Sequence, residues 1–164
     1  MIKLKDIIFE SESDSYVYRG TTSHGNANLG KQSTSIQDKL VATLGPNYTD
    51  NKDIAMIFKR GAGSGGKLLK KKLSGKVLEL NNYNDVVHLY TKHGKQLTPN
   101  IKYKINNSDG QEQLRHIQDV GQQLRYILRN EGYSWVKTPF ATSDAANFEK
   151  RGLTGEILID LSFD

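Results

Sequence analysis

Across residues 111–130 the apolar positions recur at helical spacing, with Leu114, Ile117, Val120, Leu124, Ile127 and Leu128 on one stripe. That period predicts a long amphipathic helix. Asp109, followed three residues later by Glu112, resembles a capping box with Asp standing for Ser or Thr. Gly132 suits the stop. A shorter helix is predicted where Thr49 or Asp50 would cap a run carrying Ile54, Ala55, Ile57 and Phe58, ending near Gly61. Strands are predicted at 16–19 (ending at Gly20), 40–44, 76–80, 133–136 and 156–161, where β-prone or apolar runs are short. Polar, glycine-bearing residues 23–35, the turn Gly45-Pro46-Asn47 and residues 138–154 read as loop. Helices and strands follow in mixed order, without regular βαβ alternation, so the fold class is α+β.

The chain has 164 residues, a length that fits a single domain over 1–164. No repeat or long low-complexity tract divides it. It contains no cysteine, which excludes disulfides and thiolate metal sites. The opening MIKLKDIIFE carries charges inside its apolar stretch and lacks the pattern of a signal peptide. No segment has the apolar length of a membrane span. A cytoplasmic protein is the simplest expectation, with no membrane and no metal among its partners.

Charge changes the picture modestly. With 23 basic and 18 acidic residues the net charge is +5, and the pI is about 9.3. An anionic partner fits: nucleic acid, a phosphate-bearing cofactor or an acidic protein surface. A soluble surface with excess lysine accounts for the same balance. Lys67, Lys70, Lys71, Lys72 and Lys76 concentrate the excess.

The loudest local motif is glycine-rich. Gly61, Gly66 and Lys67 match most of a phosphate-binding loop, but Leu68 stands where Ser or Thr would hold magnesium. Gly61, Gly63 and Gly66 also match G-x-G-x-x-G, with Glu79 at a plausible distance for a ribose contact. Both patterns need a strand before the glycines, where the periodicity predicts a helix. The following KLLKKKLS would make only about two helical turns. The loop therefore reads as a surface loop, with a nucleotide-binding enzyme as an alternative. His24, His88, His93 and His116 show no metal-ligand spacing. The triplet Ser33-Thr34-Ser35 is a hydroxyl run of a kind common in loops.

A third constellation is spread along the chain. Tyr18-Arg19-Gly20-Thr21 comes first, an aromatic and Arg followed by Gly-Thr. Next comes Leu44-Gly45-Pro46-Asn47-Tyr48-Thr49-Asp50-Asn51, followed by Ala55 and Phe58. Last come Gly132-Tyr133-Ser134-Trp135-Val136 and Gly155-Glu156-Ile157-Leu158-Ile159-Asp160. In this order the three blocks resemble the motifs of the ADP-ribosyltransferase superfamily over most of the chain, in the manner of a small phage- or toxin-like member. The Asn- and Lys-rich composition suits a phage or mobile-element effector.

The resemblance implies a split pair of small antiparallel sheets with flanking helices and NAD as substrate in the cleft between them. It implies transfer of ADP-ribose to a macromolecular acceptor, protein or nucleic acid, with release of nicotinamide. Arg19, Tyr48 and Glu156 are the implied catalytic residues. Tyr18, Arg19, Gly20, Thr21, Tyr48 and Thr49 are the implied NAD-binding residues. The residue types suit those roles. Arginine forks onto phosphate or ribose oxygens. Gly20 leaves room for the backbone to approach a ligand. Tyr48 can stack on nicotinamide. A carboxylate at Glu156 can stabilise an oxocarbenium-like ribose. The first block has Arg where one large branch has His, and the second has the Tyr-Thr of that other branch. Ser33 and Ser35 are held in reserve as the Ser-Thr-Ser motif of the Arg branch. Position 154 is Thr, so the resemblance does not extend to a second acidic or amide residue two before Glu156. A non-catalytic binding or structural protein on the same scaffold remains the other reading.

Overall fold

The computed structural model describes residues 15–22 and 29–163. The opening decapeptide, His24 and most of the first part of the 23–35 loop lie outside them. The described strands are β1 (Tyr16–Thr21), β2 (Asn47–Thr49), β3 (Lys67–Lys72), β4 (Lys76–Glu79), β5 (Tyr133–Pro139) and β6 (Glu156–Asp160). The α-helices are α1 (Ile36–Leu44), α2 (Lys52–Gly61), α3 (Asp85–Lys92), α4 (Ile101–Asn106), α5 (Gly110–Asn130) and α6 (Thr142–Glu149). The α+β class holds.

The six strands form one sheet in the order β3-β1-β2-β6-β5-β4. This differs from the expected pair of separate antiparallel sheets. The sheet is continuous by pairing, and it is mixed because β4 and β5 run parallel. A parallel pair requires a crossover, and here α3, α4 and α5 supply it. Continuity is thin at one place. β1 and β2 share a single pair, Tyr18↔Thr49, whereas β1 and β3 are paired from Tyr16↔Lys72 to Thr21↔Lys67.

Both faces of the sheet are covered, by different means. On one, Val136, Ile157 and Ile159 pack with Val41 and Leu44 of α1 and Ile117, Val120, Leu124 and Leu128 of α5. The apolar stripe of α5 is thus the one its period predicts. On the other face, Val17, Tyr48, Trp135 and Leu158 form a smaller cluster, joined by Leu69, Leu73 and Val77. Leu69 belongs to the edge strand β3, so the β1–β3 ribbon curls over to reach Trp135 of β5. The curl is pinned by Lys71, whose ammonium pairs with the Asp160 carboxylate, and by the Trp135 indole N–H donating to the Ser74 carbonyl at 3.0 Å.

Two features lock α1 against α5. A Cβ on Gly121 would stand 2.6 Å from the Thr43 carbonyl oxygen, so only glycine permits this approach. Arg125 is buried and donates to the carbonyls of Thr43 (3.1 Å) and Leu44 (2.9 Å). It thereby satisfies acceptors that the end of α1 leaves open.

Several predicted elements need correction. Residues 40–44 are helix, because Ser35 caps α1 by accepting from the Asp38 amide at 3.0 Å. A continuous apolar run does not distinguish strand from buried helix. Residues 67–72, to which the sequence assigns no strand, form β3: pairing with β1 overrides the helix propensity of leucine and lysine. Residues 138–154 include α6. The cap of α2 is Asn51, accepting from the amides of Asp53 and Ile54, in place of Thr49 or Asp50. Asp109 precedes α5 without a side-chain capping bond.

Candidate functional site

Beyond the Tyr18↔Thr49 pair, β1 and β2 part. Arg19 and Tyr48 would form the next pair in register, but the Arg19 Nη1 instead reaches across and donates to the Asn47 carbonyl at 2.9 Å. A cleft of about 880 Å³ opens beside the parted strands, within the usual range for a small-molecule site. Tyr18, Arg19, Gly20 and Thr21 of β1 line it, with Tyr48 and Thr49 of β2, so the whole set of expected NAD-binding residues is brought together. Residues 29–34, α1, α2, Tyr83, Phe140 and Asp144 complete the walls.

The cleft carries opposite charge on its two sides. Burial lowers the pKa of the Arg19 guanidinium from its ordinary value, and Tyr48 opposes the shift. An arginine remains a cation at neutral pH despite such a shift. The other side has a cluster that sequence reasoning missed. The Tyr83 hydroxyl donates to Asp38 Oδ1 at 2.7 Å. Burial first, and then Asp38 and Asp144, push the Tyr83 pKa up, so the phenol is a donor. Burial and the Asp38 charge push the Asp144 carboxyl up as well. Asp38, Tyr83 and Asp144 come from three separate segments. No local spacing marks them, and the strand reading of 40–44 hid the helix that presents Asp38.

Register fixes where the three expected catalytic residues stand. Side chains alternate between faces along a strand, and directly paired residues share a face. Tyr48 pairs with Leu158, and Glu156 lies two residues before Leu158. Val17 packs with Tyr48 and Leu158, and Arg19 lies two residues after Val17. Arg19, Tyr48 and Glu156 therefore occupy one face of three neighbouring strands.

Their settings differ from the expected roles. Tyr48 is only 6% exposed and meets Trp135 edge-on, with centroids 5.8 Å apart. Its ring serves the small core, and only part of it borders the cleft. Glu156 lies outside the cleft lining. Its Oε1 stands 3.3 Å from Lys137 Nζ, and its backbone N–H donates to Asp50 Oδ1 at 2.9 Å. The space left by Gly20 is taken by a helix: a Cβ there would stand 2.0 Å from the Ala55 carbonyl oxygen. Glycine at this position lets α2 lie against β1.

The remaining candidates fall into place. Ser33 and Thr34 line the cleft, while Ser35 is the α1 cap. The glycine segment has the wrong neighbours for phosphate binding. Helix α2 ends at Gly61, a short 3-10 turn spans Gly63–Gly65, and strand β3 follows at Lys67. A phosphate loop needs a strand before and a helix after. Among the described residues no group of three or more His, Cys, Asp or Glu is arranged to hold a metal ion. No described helix is long and apolar enough to cross a membrane. Compared with models of protein families, with curated proteins and with solved structures, the chain matches none.

Proposed function

We propose that the protein is an NAD-dependent ADP-ribosyltransferase that binds NAD in the cleft between β1 and β2. The observation that carries this reading is the parting of the two strands at Arg19 and Tyr48, with Glu156 on the same sheet face. Arg19 and Tyr48 stand where the strands part, and Glu156 lies on the next strand, β6, outside the cleft lining. A cleft with Arg19 at the parted strands and Asp38, Tyr83 and Asp144 on its far wall offers partners for a ligand with phosphates, ribose hydroxyls and a cationic ring. NAD has all three.

In this reading Arg19 binds a phosphate or ribose oxygen. The bond between the anomeric carbon and the nicotinamide nitrogen breaks, and its electron pair leaves with nicotinamide. The Glu156 carboxylate stabilises the positive charge that develops on the ribose. Glu156 pairs with Lys137 on the Trp135 side of the sheet, so this role requires the ribose to pass between the parted strands to that side. The acceptor's nucleophile then bonds to the anomeric carbon and releases its proton.

The packing of Tyr48 on Trp135 and the Lys137–Glu156 pair favour a second reading, a binding protein on the same scaffold that performs no chemistry. Nicotinamide release from NAD by wild type and by Glu156→Gln, each with and without cell extract, separates the two. The transferase reading expects release by wild type and a loss of about a hundredfold or more in the variant. Protection against heat by NAD without any release establishes the binding reading. Neither release nor protection removes NAD from the site.

A further inference from the structure

We propose that the tyrosine–lysine face of the β1–β3 ribbon, beside α2, binds single-stranded nucleic acid. Tyr18 pairs with Lys70 and Tyr16 with Lys72, so these four side chains share one face of the ribbon. Tyrosine and lysine thus alternate in a two-by-two block. The Lys70 ammonium lies 4.2 Å from the centroid of the Tyr16 ring. Lys52, from the first turn of α2, adds a third cation 5.9 Å from the Tyr18 ring. Tyr16 is 39% exposed, and Lys52, Lys70 and Lys72 are exposed.

Not every lysine of the 67–76 cluster belongs to this surface. Lys71 faces the other way, over the Trp135 ring and against Asp160. The alternation of the strand therefore sorts the cluster. Lys71 holds the fold, and Lys70 and Lys72 are left to an outside partner.

The chemistry favours unpaired bases over other polyanions. Lysines alone would suit any acidic surface. Tyrosine rings interleaved with them add faces on which bases stack, worth about 1–3 kcal/mol per base in known cases. A duplex keeps its base faces internal, and an acidic peptide has none. The Lys52 and Lys70 ammoniums now lie over the Tyr18 and Tyr16 rings, weak cation–π contacts. Phosphates would draw these two ammoniums away and free the ring faces. Tyr18 belongs to this block and also lines the cleft, so a bound strand would run to the cleft mouth. That such a strand is the acceptor rests on the transferase reading above; the binding itself does not.

The test is fluorescence anisotropy of a labelled oligothymidylate of about 16 nucleotides, without NAD, using the full chain. Wild type should bind, and Lys70→Gln/Lys72→Gln should weaken binding at least about tenfold at moderate salt. It should also flatten the log–log salt dependence by about 1.4, two phosphates at about 0.7 each. Tyr16→Ala should weaken binding, while Lys92→Gln/Lys95→Gln, the same charge loss on and after α3, should not. Lys70→Arg/Lys72→Arg should keep binding, which separates lost contacts from lost folding. No binding at low salt overturns the proposal. So does equal weakening by the two Gln pairs, or polyglutamate competing as well as the oligonucleotide.

Discussion

Arg19 donates through Nη1 to the backbone carbonyl of Asn47 at 2.9 Å, spanning the point where β1 and β2 separate. The bond holds the guanidinium at the root of the cleft. Arg19→Ala would leave that carbonyl without this donor, a cost of about 1–3 kcal/mol. For a chain of this size that is a fall in Tm of roughly 2–4 °C per kcal/mol. Affinity for NAD should fall about tenfold or more, because a hydrogen bond to a charged group contributes about 1.5–3 kcal/mol. Arg19→Lys should recover little of it, since an ammonium lacks the planar fork. Thermal melts and calorimetric titration with NAD read the two effects separately.

Gly20 and Gly61 should respond in opposite directions to alanine. At Gly20 the new Cβ meets the Ala55 carbonyl and the Lys59 amide nitrogen, both backbone atoms of α2. Overpacking of this kind costs about 1–3 kcal/mol or more. At Gly61 nothing lies within 4 Å, and glycine is a poor helix former. Gly61→Ala should raise Tm or leave it unchanged.

The chain has one tryptophan, and its ring meets the edge of Tyr48, a cleft residue. Its emission should therefore change when the cleft fills, giving a binding signal without any label. Trp135→Ala should cost about 3–5 kcal/mol, as expected for a buried aromatic. Urea denaturation followed by circular dichroism checks it.

Asp144 gives a pH-dependent prediction. Its folded pKa is raised by burial and then by Asp38, so the folded protein holds that proton more tightly than the unfolded chain does. Its contribution to stability is full below the unfolded value of 3.8 and is lost as pH rises through the folded value. Asp144→Asn should therefore raise Tm slightly at pH 7, by about a degree or two given the exposure of the group. The gain should vanish near pH 3. A gain that persists in acid would locate its cause outside the carboxylate pair.

What the sequence discloses is set by the range of the interactions involved. The stripe of α5 is legible because one helix must bury one face. Strand β1 and the helix after Tyr48 are legible because glycine and capping residues bound them. The pairing of β3 with β1 is not. It places lysines and leucines in a strand through contacts that no local propensity contains. Likewise Arg19 and Tyr48 carry motif neighbours in the sequence, and both border the cleft. Asp38, Tyr83 and Asp144 converge only after α1, the turn before α3 and α6 have packed. The curl that turns Tyr48 toward Trp135, and with it the aromatic's main employment in the core, follows from sheet geometry alone.

The position of β6 sets an order of events during synthesis. It is the last strand along the chain, yet it lies in the middle of the sheet between β2 and β5. A nascent chain emerging from the ribosome can assemble the β1–β3 ribbon and the local turns of α5 as they appear. The edge of β2 that will hold Leu158 opposite Tyr48 stays unpaired until residues 156–160 arrive. Among the described strands, β6 is therefore the last to join, and its pairing with β2 is a contact of long sequence separation and correspondingly slow formation. Chains that end before residue 156 would leave the apolar edge beside Tyr48 and Trp135 without its partner strand.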